Sequence, residues 1–327
     1  MTKPIVSLIV SMLLASSVAH ASPYENRFEK VAATYTFKIE TSLHSKTRTR
    51  FYRPVFLFAN RLEKVRAETM LTSMTLDVHW TNQLALQFKL PLVARKVFAK
   101  FSPVKISETQ ILPSQTRDYL DFGPGDPTLS LSWLAWEKSS FNFYTEIGTT
   151  LPLDDNSGST ILPTKIPAST GQNSIFATLG TNISWSSLRM NLQYQAHYFP
   201  GNAASYLIHQ AATQTWLSGA LSAFQKHHIH ARFHASPTKQ LTLELTPGWT
   251  VTQVPKLIIR GAAVEDTNVQ FLEDLYLTGA LVWNLSKRYS LKVWYRSTLI
   301  DSTDVNPFFP IDVPLQGGGL SFTAKRW

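Results

Sequence analysis

Cysteine is absent from all 327 residues. That excludes disulfides, thiolate metal sites and a lipid-modified amino-terminal cysteine. Long apolar runs are missing too. No stretch reaches the eighteen or so consecutive apolar residues that make a transmembrane helix. Charge is sparse and unbalanced: 16% of residues are Asp, Glu, Lys or Arg, with 31 basic against 22 acidic and a formal net charge of +9. No aromatic–basic recognition module accompanies the basic excess, so nucleic acid is not an expected partner. Anionic lipid head groups or anionic solutes suit it better.

What is present begins with an export signal. Lys3 supplies a short basic region, residues 4–15 an apolar run too short to span a membrane, and Ala19-His20-Ala21 a small-x-small cleavage site. The expectation is cleavage after Ala21, delivery to the outer membrane of a Gram-negative bacterium, and one barrel domain over residues 22–327.

The clearest pattern lies at residues 174–199. Ile175, Ala177, Leu179, Thr181, Ile183 and Trp185 alternate with polar neighbours, and so do Leu188, Met190, Leu192, Tyr194, Ala196 and Tyr198. Period two is the strand period, because successive side chains point to opposite faces. Ser186 and Ser187 leave room only for a tight turn. Each arm is about as long as a tilted membrane-crossing strand.

The unit recurs. Alternation predicts strands over 32–42, 70–80, 83–93, 128–136, 141–151, 228–235, 241–251, 275–285, 289–300 and 319–327. Residues 95–125 read as a long irregular stretch, and residues 200–226 read as either a strand or part of a helix within a loop. The sum is about twelve strands, with short turns at one end and long loops at the other. This predicts an all-β fold: a transmembrane antiparallel up-and-down β-barrel with long extracellular loops and short periplasmic turns. A soluble β-sandwich would share the alternation, but with shorter strands and no end-to-end loop asymmetry. Trp80, Trp185, Trp283 and Tyr289 flank short turns and form a candidate aromatic girdle.

Gly123-Pro124-Gly125-Asp126-Pro127-Thr128-Leu129 enters one strand, and Thr149-Thr150-Leu151-Pro152 ends its partner. This pair resembles a motif of outer-membrane barrels of the phenol meta-cleavage-pathway transporter family. Residues 176–185 and 191–201 resemble a related gammaproteobacterial family of unknown function. The resemblance covers about the middle half of the chain. It implies a barrel and passage of small hydrophobic or aromatic compounds. Leu153 stands where the first family commonly has Thr-Gly after the Pro.

The strand phases put a candidate set on the wet, lumen-facing side: Lys38, Glu40, Asp77, His79, Lys89, Glu146, Arg189, His197, His230, Arg232, His234, Glu244, Lys292 and Arg296. Basic residues outnumber acidic ones there, which predicts a weakly anion-leaning wall. Equally, opposite charges could simply pair to fill a narrow barrel. His227, His228, His230 and His234 suggest a metal cluster. However, His230 and His234 lie about 13 Å apart by strand rise and cannot share one ion alone, so no metal and no cofactor are expected.

Three functions remain open. The first is a channel or transporter for small solutes. The second is a barrel-embedded hydrolase acting on lipid, with His197 or His209 as base and no His-x-Ser-Asn arrangement to support it; Asp154-Asp155 instead resembles the carboxylate pairs of barrel proteases, though acidic pairs are common in polar loops. The third is a structural barrel binding lipopolysaccharide or a partner without transport. The basic stretch 44–68, with Lys46, Arg48, Arg50, Arg53, Arg61, Lys64 and Arg66, reads either as a lipopolysaccharide-phosphate contact or as a solvated loop. Expected partners are outer-membrane lipid and lipopolysaccharide, the barrel-assembly machinery and small solutes. Purified from outer membranes, the protein should show the intact mass of a chain starting at Ser22. A mass retaining residues 1–21 would refute the processing.

Overall fold

The computed structural model describes residues 35–48, 62–81, 83–101, 103–105, 111–112, 114–153, 173–185, 188–200, 202–210, 215–253, 257–259, 271–301 and 316–326. The signal peptide, its cleavage site and most of the predicted long loops lie outside these residues.

Twelve antiparallel strands form the wall: β1 (Tyr35–Arg48), β2 (Leu62–His79), β3 (Leu84–Phe101), β4 (Thr128–Lys138), β5 (Phe141–Thr150), β6 (Ser174–Trp185), β7 (Leu188–Phe199), β8 (Phe224–Ala235), β9 (Leu241–Gln253), β10 (Phe271–Asn284), β11 (Tyr289–Asp301) and β12 (Gly317–Arg326). Each pairs with its sequence neighbour, and the ring closes where β1 pairs β12 from Tyr35↔Arg326 to His44↔Gly317. The all-β barrel expected from the alternation is the observed fold.

Burial decides between a barrel and a sandwich. Among the described residues, thirty buried side chains are polar and nine are apolar. Leu76, Phe88, Leu131, Leu179, Leu192, Leu245, Leu281 and Val293 stay exposed on the outer wall. A soluble sandwich buries its apolar face between two sheets. This molecule has the reverse distribution, which suits a barrel whose outer face meets hydrocarbon.

Hydroxyls set the short turns. Thr81 Oγ1 accepts from the backbone N–H of Gln83 (3.1 Å) and of Leu84 (2.9 Å). Ser286 Oγ accepts from Arg288 and Tyr289, and Thr238 Oγ1 accepts from Leu241. Such local bonds offer the chain a turn in place of a longer ladder.

The long-loop end differs from the sequence expectation. The stretch read as irregular, 95–125, is largely strand. β3 continues to Phe101, and a further strand, Gln115–Pro124, pairs its upper half from Leu92↔Pro124 to Phe101↔Gln115. β4 pairs the lower half of β3, from Leu84↔Trp133 to Lys89↔Thr128. Between the two pieces Gly125 N–H donates to Pro91 C=O (2.8 Å). A Cβ at Gly125 would meet Val93 Cγ2 at 2.9 Å, so a larger residue would have to shift the Val93 side chain. The alternation fails here because above the lipid the outward face need not be apolar, while the ladder runs on.

The same reason corrects the predicted loop 44–68. Its ends are β1 and β2, paired from Ser45↔Glu68 to Arg48↔Val65. Residues 200–226 are not helical where described. Asn202–Gln210, Thr215–Leu221 and Leu257–Ile259 form a separate three-stranded antiparallel sheet, and β8 begins at Phe224.

On β7, Leu192 is exposed outward whereas Gln193 is only 1% exposed in the interior. A charge at Leu192 therefore meets lipid. Leu192→Arg should lower bilayer refolding stability by about 2–4 kcal/mol, and Leu192→Phe should be tolerated within about 1 kcal/mol. Equal stability of the two would reverse the assigned facing. From the alternation alone Gln193→Arg would be expected to be mild; the packing around Gln193 makes it costly too.

Candidate functional site: the lumen of the barrel

The inward phase of the strands carries all the lumen chemistry, and it differs from one end to the other. Near the short turns it is charged. Lys38 and Glu40 on β1 form an ion pair. Glu244 on β9 binds Lys292 on β11 and lies 3.3 Å from His234 Nδ1 on β8. Gln87 on β3 donates to Asp77 Oδ1 on β2 (2.7 Å). Lys89 and His79 share these inward phases on β3 and β2, and Arg189 lies one residue inside β7, half-buried. Glu146 and Arg232 are buried on β5 and β8.

An asparagine row crosses three strands at the same end. Asn182 Nδ2 donates to Asn142 Oδ1 (2.6 Å), and Asn191 Nδ2 donates to Asn182 Oδ1 (2.9 Å) and to the Tyr144 hydroxyl (3.0 Å). The three Asn are direct register partners. A buried amide must find such partners, since an unmet donor costs about 1–3 kcal/mol.

Toward the long-loop end the wall turns aromatic. Phe176 on β6 lies 5.1 Å from the ring of His197 on β7, which stacks on Phe199 at 6.0 Å. Phe199 stacks on Phe224 of β8 at 4.3 Å and 2°. His228 stacks on Tyr276 of β10 at 5.7 Å, and Arg296 of β11 sits 4.2 Å over the Tyr276 ring. His228 Nδ1 is 2.9 Å from Thr250 Oγ1, while its Nε2 is 2.9 Å from the Tyr276 hydroxyl and 3.1 Å from His230 Nδ1. His44 of β1 and Trp294 of β11 extend the arc, 5.9 Å apart.

Several inward rings lie flat on glycine. Tyr144 faces Gly180, Phe176 faces Gly148, Tyr276 faces Gly248 and Trp294 faces Gly319, each as direct cross-strand partners. A Cβ at Gly180 would fall 2.1 Å from Tyr144 Cζ, and one at Gly248 would fall 2.2 Å from Tyr276 Cζ. The bare backbone lets the ring lie along the wall, covering the glycine and staying out of the axis.

The sequence phases included inward charged residues such as Glu40, Glu146, Arg232 and Arg296. They missed His44, Phe176, Thr250, Asp274, Tyr276 and Trp294 as lumen groups. The available signal was an aromatic residue in the polar phase with glycine on the next strand. Trp80, Trp185, Trp283 and Tyr289 are exposed outward at the short-turn rim. Among the described residues no group of three or more His, Asp or Glu has metal-site geometry. Of the hydrolase candidates, His197 is inward in the aromatic arc. The side chain of His209 and all of Asp154-Asp155 lie outside the described residues.

No protein-family model matches the chain, and no curated protein matches it in sequence. Solved structures do match. An outer membrane channel from Pseudomonas putida F1 aligns over 92% of this chain and 98% of its own, with a TM-score of 0.55 and 12% identity. The transport unit of the autotransporter AIDA-I from Escherichia coli aligns over 100% and 98%, with a TM-score of 0.47 and 10% identity. A Pseudomonas aeruginosa FadL homologue aligns over 89% and 75%, with a TM-score of 0.42 and 9% identity. At such identities the likeness to the P. putida channel is one of fold, and that fold is the bacterial outer-membrane barrel.

The ring-on-glycine pairing has a mechanical consequence. Gly180→Ala should push Tyr144 off the wall and lower refolding stability by about 1–3 kcal/mol. Adding Tyr144→Ala should restore part of it. A double-mutant cycle with no coupling between the sites would refute the contact.

Proposed function

We propose that the protein is an outer-membrane channel of a Gram-negative bacterium for small solutes of hydrophobic or aromatic character. The observation that carries this reading is the graded lumen, with an aromatic arc toward the long loops followed by a charged belt toward the short turns. Stacked rings offer a solute apolar faces, and offset or edge-on contacts with another ring add about 0.5–1.5 kcal/mol each. The charged belt then meets the polar group of an amphipathic solute. The fold likeness to a protein described as an outer membrane channel supports the reading, as does the motif at 123–129.

The route is narrow. Tyr144, Phe176, His230 and Gln193 are each 1% exposed or less, so the inner wall is packed. Twelve strands enclose far less space than the wide aqueous lumen of a porin. Passage therefore requires rings to rotate, which favours a low-conductance selective path over an open sieve. The inward basic residues, Lys226, Arg232, Lys292 and Arg296 among them, favour anions over cations of equal size.

The test is single-channel recording of refolded protein, paired with vesicle uptake of a small neutral aromatic solute and of a disaccharide. We expect small steps with anion preference, and uptake of the aromatic solute but not the disaccharide. Tyr276→Ala should raise the step size, and Arg296→Gln should reduce the anion preference. Verified insertion with neither current nor uptake would sink the channel reading. An unchanged step in Tyr276→Ala would move the path away from the aromatic arc.

A further inference from the structure

We propose that the outer wall, just above its apolar band, carries a binding niche for the phosphorylated headgroup of an outer-leaflet glycolipid. The proposal rests on the outer-membrane placement argued above and does not depend on transport.

The outward phase of two neighbouring strands changes character abruptly. Along β2 it runs Val78, Leu76, Met74, Thr72 and Met70, then turns to Glu68 and Arg66. Along β3 it runs Leu84, Leu86, Phe88, Leu90, Leu92 and Ala94, then turns to Lys96 and Phe98. The two switches coincide, because Glu68 pairs with Lys96 and Arg66 with Phe98. Ten residues of tilted strand rise about 25 Å, the height of a barrel's apolar band. The charges therefore begin at headgroup level.

They also surround a space. Arg66, Glu68, Lys96 and Phe98 line an open niche of about 320 Å³. Glu68 holds Arg66 in place through a contact of 2.6 Å. A carboxylate uses at most two of the five guanidinium donors, so Arg66 keeps donors for a second acceptor. Lys96 is exposed beside it as a compact charge. Arginine's fork with an adjacent ammonium suits a phosphate monoester. Phe98 provides an apolar floor for the ring face of a sugar, and the exposed Leu120 and Phe122, register partners of Lys96 and Ala94, continue the apolar surface toward acyl chains.

Among the residues whose side chains the structure describes, Arg66, Lys96 and Lys100 are the basic ones in the outward phase above the apolar band, and all three lie on this side. At the corresponding ends of β1, β6, β7 and β11 the outward residues are Leu43, Ile175, Tyr198 and Leu299. A generic band of lipid-facing lysines would encircle the barrel. This one sits where β2 and β3, at 18 residues each, outrun the other strands.

Native mass spectrometry of the folded protein in detergent tests the niche. It would be titrated in parallel with diphosphorylated lipid A, dephosphorylated lipid A and phosphatidylglycerol. We expect a stoichiometric adduct with diphosphorylated lipid A alone. An Arg66→Gln/Lys96→Gln variant should weaken that adduct about tenfold and keep the heat-modified gel shift of a folded barrel. Lys287→Gln, which removes one charge at the opposite rim, should leave it unchanged. Equal lipid A retention by the double variant overturns the proposal, as does equal binding of the dephosphorylated form. Comparable binding of phosphatidylglycerol also overturns it, in favour of a general anionic-lipid surface. A barrel that selects lipid A and conducts no current retains the niche and sinks only the channel reading.

Discussion

Closure of the backbone ladder is the constraint from which the rest of this molecule follows. In hydrocarbon an unpaired N–H or C=O costs several kcal/mol, and water is not there to take it up. A sheet can meet that condition only by joining its first strand to its last, as β1 and β12 do. Once the ring is closed, every strand has one face toward lipid and one toward the axis. Apolar residues must go outward and polar residues inward, so the protein is turned inside out relative to a soluble domain. The glycines of β12 fit this closure. A Cβ at Gly317 would lie 2.1 Å from the Leu43 carbonyl oxygen, so the seam admits only the smallest residue there.

The lumen inherits a second constraint. Its polar groups are enclosed by a low-dielectric wall, where an unmet donor or charge is expensive. They answer by pairing across strands. Examples are the Asn142–Asn182–Asn191 row, the Glu244–Lys292 pair bridging β9 to β11, and the His228 imidazole shared among Thr250, Tyr276 and His230. Aromatic rings fill the remaining volume by lying flat on glycines. The lumen is thereby rigid near the short turns and ring-lined toward the long loops.

Beyond the lipid the constraints relax, and the strands show it. β2, β3 and Gln115–Pro124 keep their hydrogen bonds but lose their apolar alternation. Their outward surface becomes free to carry charge and aromatic rings in one niche. Structure without periodicity is therefore the mark of the parts of the wall that stand in the headgroup layer and above.

What the sequence determined by itself was whatever depends on period two. The number of strands, the five short turns and the facing of residues such as Leu192 and Glu244 follow from alternation, because lipid demands an unbroken apolar face. Turn chemistry at Thr81, Thr238 and Ser286 is equally local. Only the tertiary structure decided what depends on register. That Tyr144 lies over Gly180, that Asn182 meets both Asn142 and Asn191, and that Glu68 stands opposite Lys96 are facts about partners 9 to 40 positions apart. Alternation says which face a side chain takes and is silent on its neighbour across the ladder. The strands at 95–101 and 115–124 escaped the pattern for a related reason. Their partners hold them by backbone hydrogen bonds, which every sequence can make, and no membrane there imposes the side-chain rhythm that would have revealed them.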